Sequence, residues 1–360
     1  MTSSDIIKLR LQNQQLAGTS FVKPEEVVGW LGAVQSQDYA GAKWALANRL
    51  KKPVEAEIDK AVDDGKILRT HVLRPTWHFV LPDDIRWMME LTEPRITAFG
   101  AKYFRDLKLD KTVLKRSNRV IVRALEKGKH LTKKELGDAL KKARIDTNEL
   151  RLTFIIIRAE LDQLICNGAR RVKQMTYALV EQRAPKARRL KKDEALTELA
   201  MRYFASRGPA TTKDFAWWSG LSPADARQAV EQIRLQIFHE EINGETYFFK
   251  TSTMDGAKKS QVHLLPAWDE YTVAYKDRGL VIDPGFESDS GHGVFNPNII
   301  VNGQIKGAWR RELKSKTVIV ETQYFSQPGK ATLQKVASTA KAYAKFLEKD
   351  LVLTQNVRKK

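Results

Sequence analysis

Gln35 and Gln37 stand one residue apart in Val34-Gln35-Ser36-Gln37-Asp38, and two carboxamides at that spacing can hold a water molecule between them. Each amide offers an acceptor oxygen and two N–H donors, which orient a water without taking its proton. Side chains at i and i+2 share a face only on extended backbone; on a helix they diverge by about 200°. The preceding stretch, Pro24 to Val34, reads as a helix, with Pro24 at its first position, Glu25 and Glu26 in its first turn, and Val27, Leu31 and Val34 at helical spacing. It is expected to fray near Gln35. If the chain leaves it extended, both carboxamides converge on one small target. Taken alone, such a pair more often marks a solvated helix end.

The surroundings point to a polyanion. Lysines and arginines number 62 against 43 acids, a net charge of +19 spread along all 360 residues. An anionic membrane would also attract that charge, but no run of about 18 apolar residues and no basic-then-apolar leader is present, so a cytoplasmic protein with no membrane partner is expected. The one cysteine, Cys166, excludes an internal disulfide. It is expected on the buried side of a helix ending near Asn167-Gly168, in a packing role. The six histidines lack ligand spacing, and no phosphate-cradling glycine loop is present, so no metal and no cofactor are expected.

A second group gathers on a ribbon. Ile67 to Val72 and Thr76 to Val80 read as strands joined at Leu73-Arg74-Pro75. Alternation places Trp77 and His78 on opposite faces, one of them core; packing and function both fit each residue. Arg69 and Arg74 flank the ribbon and are expected to touch phosphates. Trp217 and Trp218 cannot both face inward from one helix. Basic clusters at Lys186 to Lys192, which include Arg188 and Arg189, and at Trp309-Arg310-Arg311 can follow a nucleic-acid backbone or simply be solvated.

Along the chain, helix, short helix, helix and β-ribbon recur three times, the order of a winged helix. The third copy is clearest: a helix over 193–206, a break at Gly208-Pro209, a short helix over 212–219, a third capped by Ser222 with Pro223 next, and a hairpin turning at Asn243-Gly244. The middle copy opens a helix with the capping box Thr132 to Glu135, followed by strand-like residues 170–180. After about residue 255 strands take over: 262–265, 280–282, 299–301, 305–309 and 318–322, with a turn at Asn302-Gly303 and a last helix over 331–348. Asp283 to Pro297 lacks apolar residues enough to pack and is expected to be a mobile loop. The expected fold class is α+β: tandem winged-helix units over 1–95, 96–185 and 190–255, each with its own core, and a β-rich C-terminal domain over 256–360.

Several segments together carry a resemblance: Ala33 to Gln37 followed by Gly41 and Asn48-Arg49-Leu50; Leu73 to Val80; Leu264 to Tyr271; Tyr275 to Arg278; and Asn302 to Arg310. Over most of its length the chain resembles the winged-helix DNA glycosylases of the AlkZ type, which excise alkylated purines and unhook interstrand crosslinks. The resemblance implies that Gln35 and Gln37, matching a Gln-x-Gln motif, are catalytic. It further implies a concave channel that admits bulky adducts and a β-hairpin that probes the duplex. One departure stands out: the family's Gly-Thr-Leu-His reads Pro75-Thr76-Trp77-His78 here, so a tryptophan reshapes the pocket.

The chemistry suits so weak a pair. A purine alkylated at N7 or N3 is already cationic and departs without protonation, so only the developing oxocarbenium charge on the sugar and the incoming water need help. The expected partner is double-stranded DNA containing alkylated purines, met by a monomer acting as a monofunctional glycosylase. Arg69, Arg74, Thr76, Trp77, His78, Arg188, Arg189, Asp269, Tyr271, Arg278, Arg310 and Arg311 are expected to contact substrate or DNA. The rival is a non-catalytic winged-helix regulator, though regulators usually carry one such unit per chain and dimerise on palindromes.

Overall fold

The computed structural model of the chain describes residues 1–148, 150–252, 261–282 and 293–357. Helix α1 (Ser3–Asn13) opens on a Thr2–Asp5 capping box. Helix α2 (Pro24–Leu31) begins at Pro24 as expected but stops three residues before Val34. Gly32 explains the early stop: its φ of 74° is a left-handed backbone that side-chain-bearing residues rarely adopt. The chain emerges extended, and Val34–Gln35 becomes strand β1. Helices α3 (Tyr39–Ala47) and α4 (Glu55–Asp63) then lead into β2 (Leu68–His71) and β3 (Trp77–Val80). The three strands form a sheet in the order β1-β3-β2, with His78 opposite Gln35 on one side and Thr70 on the other.

The middle segment holds α5 (Ile85–Asp106), α6 (Lys111–Leu125), β4 (Leu131–Thr132), α7 (Lys133–Lys142), α8 (Arg151–Leu161), β5 (Ile165–Asn167), β6 (Thr176–Leu179) and α9 (Val180–Arg183). A boundary at residue 95 falls inside α5, which runs on to Asp106. The Thr132–Glu135 capping box forms at the start of α7. The long helix expected to end near Asn167-Gly168 does not reach that far. It closes at Leu161, Gln163 takes a φ of 57°, and Ile165–Asn167 pairs with β6 as a strand. Cys166 is fully buried there, and burial pushes its thiol up to about 12, the state of a packing residue.

The third segment follows the expected order with α10 (Lys192–Arg207), α11 (Thr212–Ser219), α12 (Pro223–Ile233) and the hairpin β7 (Phe238–Ile242) and β8 (Glu245–Phe249). Ser222 caps α12 by accepting the Asp225 N–H. Beyond it come β9 (Val262–Leu265), α13 (Glu270–Val273), β10 (Asn298–Val301), β11 (Gln304–Leu313), β12 (Thr317–Tyr324), α14 (Lys330–Phe346) and β13 (Asp350–Val357). The strands form one sheet, β13-β12-β11-β10-β9, antiparallel except where β13 runs parallel to β12. The strand expected at 280–282 is instead a turn. The N–H groups of Val281 and Ile282 both donate to the Arg278 carbonyl, and only a single bridge joins Ile282 to Ile305. Most of the loop expected over 283–297, residues 283–292, lies outside the described residues.

Three of the cores cross the expected unit boundaries, so the segments do not each bury a core alone. Leu68 and Val80, from one face of the ribbon, pack with Tyr203, Phe204 and Trp218 of the third segment. Val34 and Phe79, from the opposite face, pack with α2, α3 and Trp309 and Tyr343 of the C-terminal sheet. The ribbon is therefore gripped on both faces, which fixes Gln35 and His78 through burial on each side. Among the described residues no helix is long and apolar enough to cross a membrane.

Candidate active site

The ribbon holds the backbone around the two glutamines from several directions. The Ser36 N–H donates to the Trp77 carbonyl at 2.7 Å, and the Ser36 carbonyl accepts from Arg69 Nη2 at 2.9 Å and Nε at 3.2 Å. Gln35 is 9 % exposed, and its Oε1 accepts from Arg74 Nη2 at 3.2 Å. Gln37 is exposed, and its Oε1 accepts from the Trp77 N–H at 3.3 Å. Each carboxamide oxygen is thus anchored to the ribbon with a lone pair to spare, and among the described residues neither amide NH2 has a protein partner.

A buried ion pair fastens this strand from beneath. The Gln35 N–H donates to Glu270 Oε1 at 2.9 Å. Glu270 Oε2 accepts from Arg207 Nη2 at 2.6 Å and from the Trp218 indole at 2.9 Å. Arg207 in turn donates to the carbonyls of Leu31 and Ala33 at 2.7 and 3.0 Å. Neither Arg207 nor Glu270 is exposed. Burial pushes the Glu270 carboxyl up, but the charge and hydrogen bonds of Arg207 outweigh it and hold the group below the usual carboxylate range. Sequence reasoning missed both residues. The available signal was Glu270 itself, the second of two carboxylates in the otherwise largely apolar run Leu264 to Tyr271, beside Asp269 which was singled out.

His78 is fully buried in the same row as Gln35. Its Nδ1 lies 2.9 Å from the Thr76 carbonyl, while Nε2 has no hydrogen-bond partner among the described residues. Burial foremost, and the positive Arg74 next, hold the imidazole well below its usual pKa, so it is neutral with Nδ1 as donor and a bare Nε2 lone pair. The hydroxyls of Ser36, Thr70 and Thr76 are likewise buried without partners among the described residues. Arg74 is half-buried, and desolvation lowers its pKa, opposed by the Glu270 charge.

Trp77 is half-buried against the middle segment's core, its ring 4.2 Å from the Arg69 guanidinium and 4.1 Å from the His71 ring. Arg69 is therefore engaged with Ser36 and Trp77. Of the two tryptophans on α11, Trp218 is buried on Glu270, and Trp217 is 41 % exposed with Arg278 over its ring at 5.1 Å.

The remaining expected contact residues lie elsewhere or are occupied. Asp269 is 1 % exposed and takes both terminal nitrogens of Arg49 at 2.8 and 2.9 Å; Tyr271 is fully buried and donates to the Gly303 carbonyl. Both brace the fold and offer no surface to a duplex. Arg278 donates to the carbonyls of Thr272 and Lys276. Arg188 pairs with Asp84 at 2.8 Å, and Arg189 with Glu90. Arg311 pairs with Asp38 at 2.7 Å, joining β11 to the loop that carries Gln37. Arg310 is exposed and makes no ion pair among the described residues.

Residues 28–346 match the family described as DNA glycosylase AlkZ-like. The chain belongs to that family. As an AlkZ-like DNA glycosylase it is 23 % identical over 355 residues to the interstrand DNA cross-link repair glycosylase of Streptomyces sahachiroi, covering 92 % of this chain and 94 % of that one. The solved structure of Streptomyces sahachiroi DNA glycosylase AlkZ superposes with a TM-score of 0.80 at 20 % identity, covering 99 % of both chains, so the two share a fold.

Proposed function

We propose that this glycosylase hydrolyses the N-glycosidic bond of N-alkylated purines in duplex DNA, with Gln35 and Gln37 placing the attacking water. The observation that carries this reading is the pinning of both carboxamide oxygens, by Arg74 and by the Trp77 N–H, on an extended strand end. That geometry leaves the amide NH2 groups free to hold a water oxygen and a spare oxygen lone pair beside the sugar's growing positive charge. In the reaction the C1′–N bond breaks, its electron pair neutralises the cationic base, water bonds to C1′, and the surplus proton passes to solvent. No group on the protein has to protonate the leaving base.

The cross-link repair name of the Streptomyces relative supports extending the substrate range to interstrand crosslinks. The tip of the β11–β12 hairpin, with Leu313 exposed beside Lys314 and Lys316, suits insertion against a duplex. Arg310 on the same hairpin is the expected phosphate contact with the fewest competing partners, and the half-buried Arg74 beside Gln35 is assigned to the lesion pocket, to which the fully buried His78 offers no surface. The test is incubation with duplex carrying N7-methylguanine and, separately, an N7-linked crosslink. Abasic sites should form with the first and unhooked strands with the second; intact DNA in both would remove this reading.

A further inference from the structure

A groove of about 930 Å3 lies between α5, α6 and the end of α8. None of its lining residues hydrogen-bonds Gln35, Gln37, Arg74 or His78. Its floor is apolar, built from Ala101 and Phe104 of α5 and from Leu114 and Val122 of α6. Along one side run Lys111, Lys115, Arg119 and Arg123. All four are exposed, and none makes an ion pair among the described residues.

Their spacing is regular. Residues four apart on one helix face are separated by about 6 Å along the axis, so the row extends over about 18 Å. Carboxylates four apart on a second helix repeat at the same interval. The floor decides between anionic partners: a phosphate backbone would satisfy the cations but cover Leu114, Val122 and Phe104 with nothing apolar, whereas an amphipathic helix covers both. Asp162 in the groove is already occupied, paired with Arg158 and accepting from Asn118 of α6 at 2.6 Å, and Glu126 sits at the end of α6, where a partner should carry no acid.

We infer that this groove is a docking site for an acidic amphipathic helix of a partner protein, its carboxylates on the Lys111–Arg123 row and its apolar side chains on the floor. The site is separate from the glycosylase centre, and the inference does not depend on the assignment of Gln35 and Gln37.

The experiment uses the full chain and a fluorescein-labelled, helix-forming peptide with glutamates four residues apart and leucines on the adjoining face. Anisotropy at low salt reports binding. Three proteins are compared: the wild type, a Lys115→Glu/Arg119→Glu variant, and Val122→Ser. Thermal melts confirm that each is folded. The charge reversal should weaken the peptide about tenfold or more, and the loss of floor contact severalfold. Affinity for undamaged duplex, titrated in parallel, should be nearly unchanged in Val122→Ser. The inference is overturned if the wild type fails to bind the peptide or if Val122→Ser binds it as tightly as the wild type. It is equally overturned if the charge reversal weakens the duplex but not the peptide, which would make the groove part of the nucleic-acid path.

Discussion

The backbone N–H of Gln35 donates to Glu270 at 2.9 Å, a bond between residues 235 positions apart that ties the strand carrying the glutamines to the third and C-terminal segments. Through Arg207 the same carboxylate also reaches the carbonyls of Leu31 and Ala33, so the turn out of α2 and the strand that follows are set by one buried charge pair.

Removing that pair's charge should therefore be costly. In Glu270→Gln the amide can still accept the Gln35 N–H, but Arg207 is left buried without a counter-charge, which typically costs about 3–5 kcal/mol. Chemical denaturation should show a loss of that size, and excision measured on the folded fraction should fall because the strand end shifts. A variant as stable as the wild type would show that Glu270 does not brace the site.

The pH dependence of stability follows from buried neutral histidines. His78 is held well below the usual value, mainly by burial, and His263 is lowered to about 4 for the same reason. Their neutral forms contribute fully above about pH 6.5, and the contribution is lost as pH falls below that, because the unfolded chain takes up protons that the folded one refuses. Unfolding free energy should thus decline between about pH 6.5 and 4, by roughly 1.4 kcal/mol per pH unit for each histidine. His78→Gln should reduce that slope by about one proton. An unchanged slope would place His78 in contact with water.

Trp77 sits between Arg69 and His71, and its replacement reads out whether it shapes the lesion pocket or only packs. Trp77→Leu is expected to raise excision of bulky N7 adducts relative to N7-methylguanine. Core loss alone would instead lower the melting temperature, by the equivalent of about 2–5 kcal/mol, and reduce both rates together. Measuring both rates beside the melt separates the outcomes.

Salt dependence should distinguish free from occupied arginines. Arg310→Ala should lower the slope of log affinity against log salt by about 0.9, the value for one phosphate contact on duplex DNA. Arg188→Ala, whose partner Asp84 is buried, should change stability more than the slope. Equal slopes for the wild type and Arg310→Ala would take Arg310 off the DNA face.

What the sequence disclosed depended on how local the cause was. Pro24, Ser222 and the Thr132–Glu135 box fix helix starts through neighbouring atoms, and Asn302-Gly303 turns its hairpin through its own positive φ angles, so these were readable. The end of α8 was not, because strand β5 exists through pairing with β6, about a dozen residues further on. Strand β13 was missed for the same reason: its register comes from parallel pairing with β12. At the site, the Gln-x-Gln spacing and the ribbon were legible. The pairing of Arg207 with Glu270 was not, since a buried ion pair between distant segments leaves no local pattern. Asp269 and Tyr271 were conspicuous in sequence for a structural reason, their buried bonds to Arg49 and Gly303.

On the proposed mechanism Gln35 and Gln37 act on water and sugar charge, not on DNA affinity. Single-turnover excision of N7-methylguanine from duplex by Gln37→Ala and Gln35→Ala, with affinity measured on the same duplex, tests this. Excision should fall by about 10- to 1,000-fold, more for Gln37→Ala than for Gln35→Ala, while affinity stays nearly intact. Both variants cleaving at the wild-type rate, or losing rate only in proportion to binding, would contradict it.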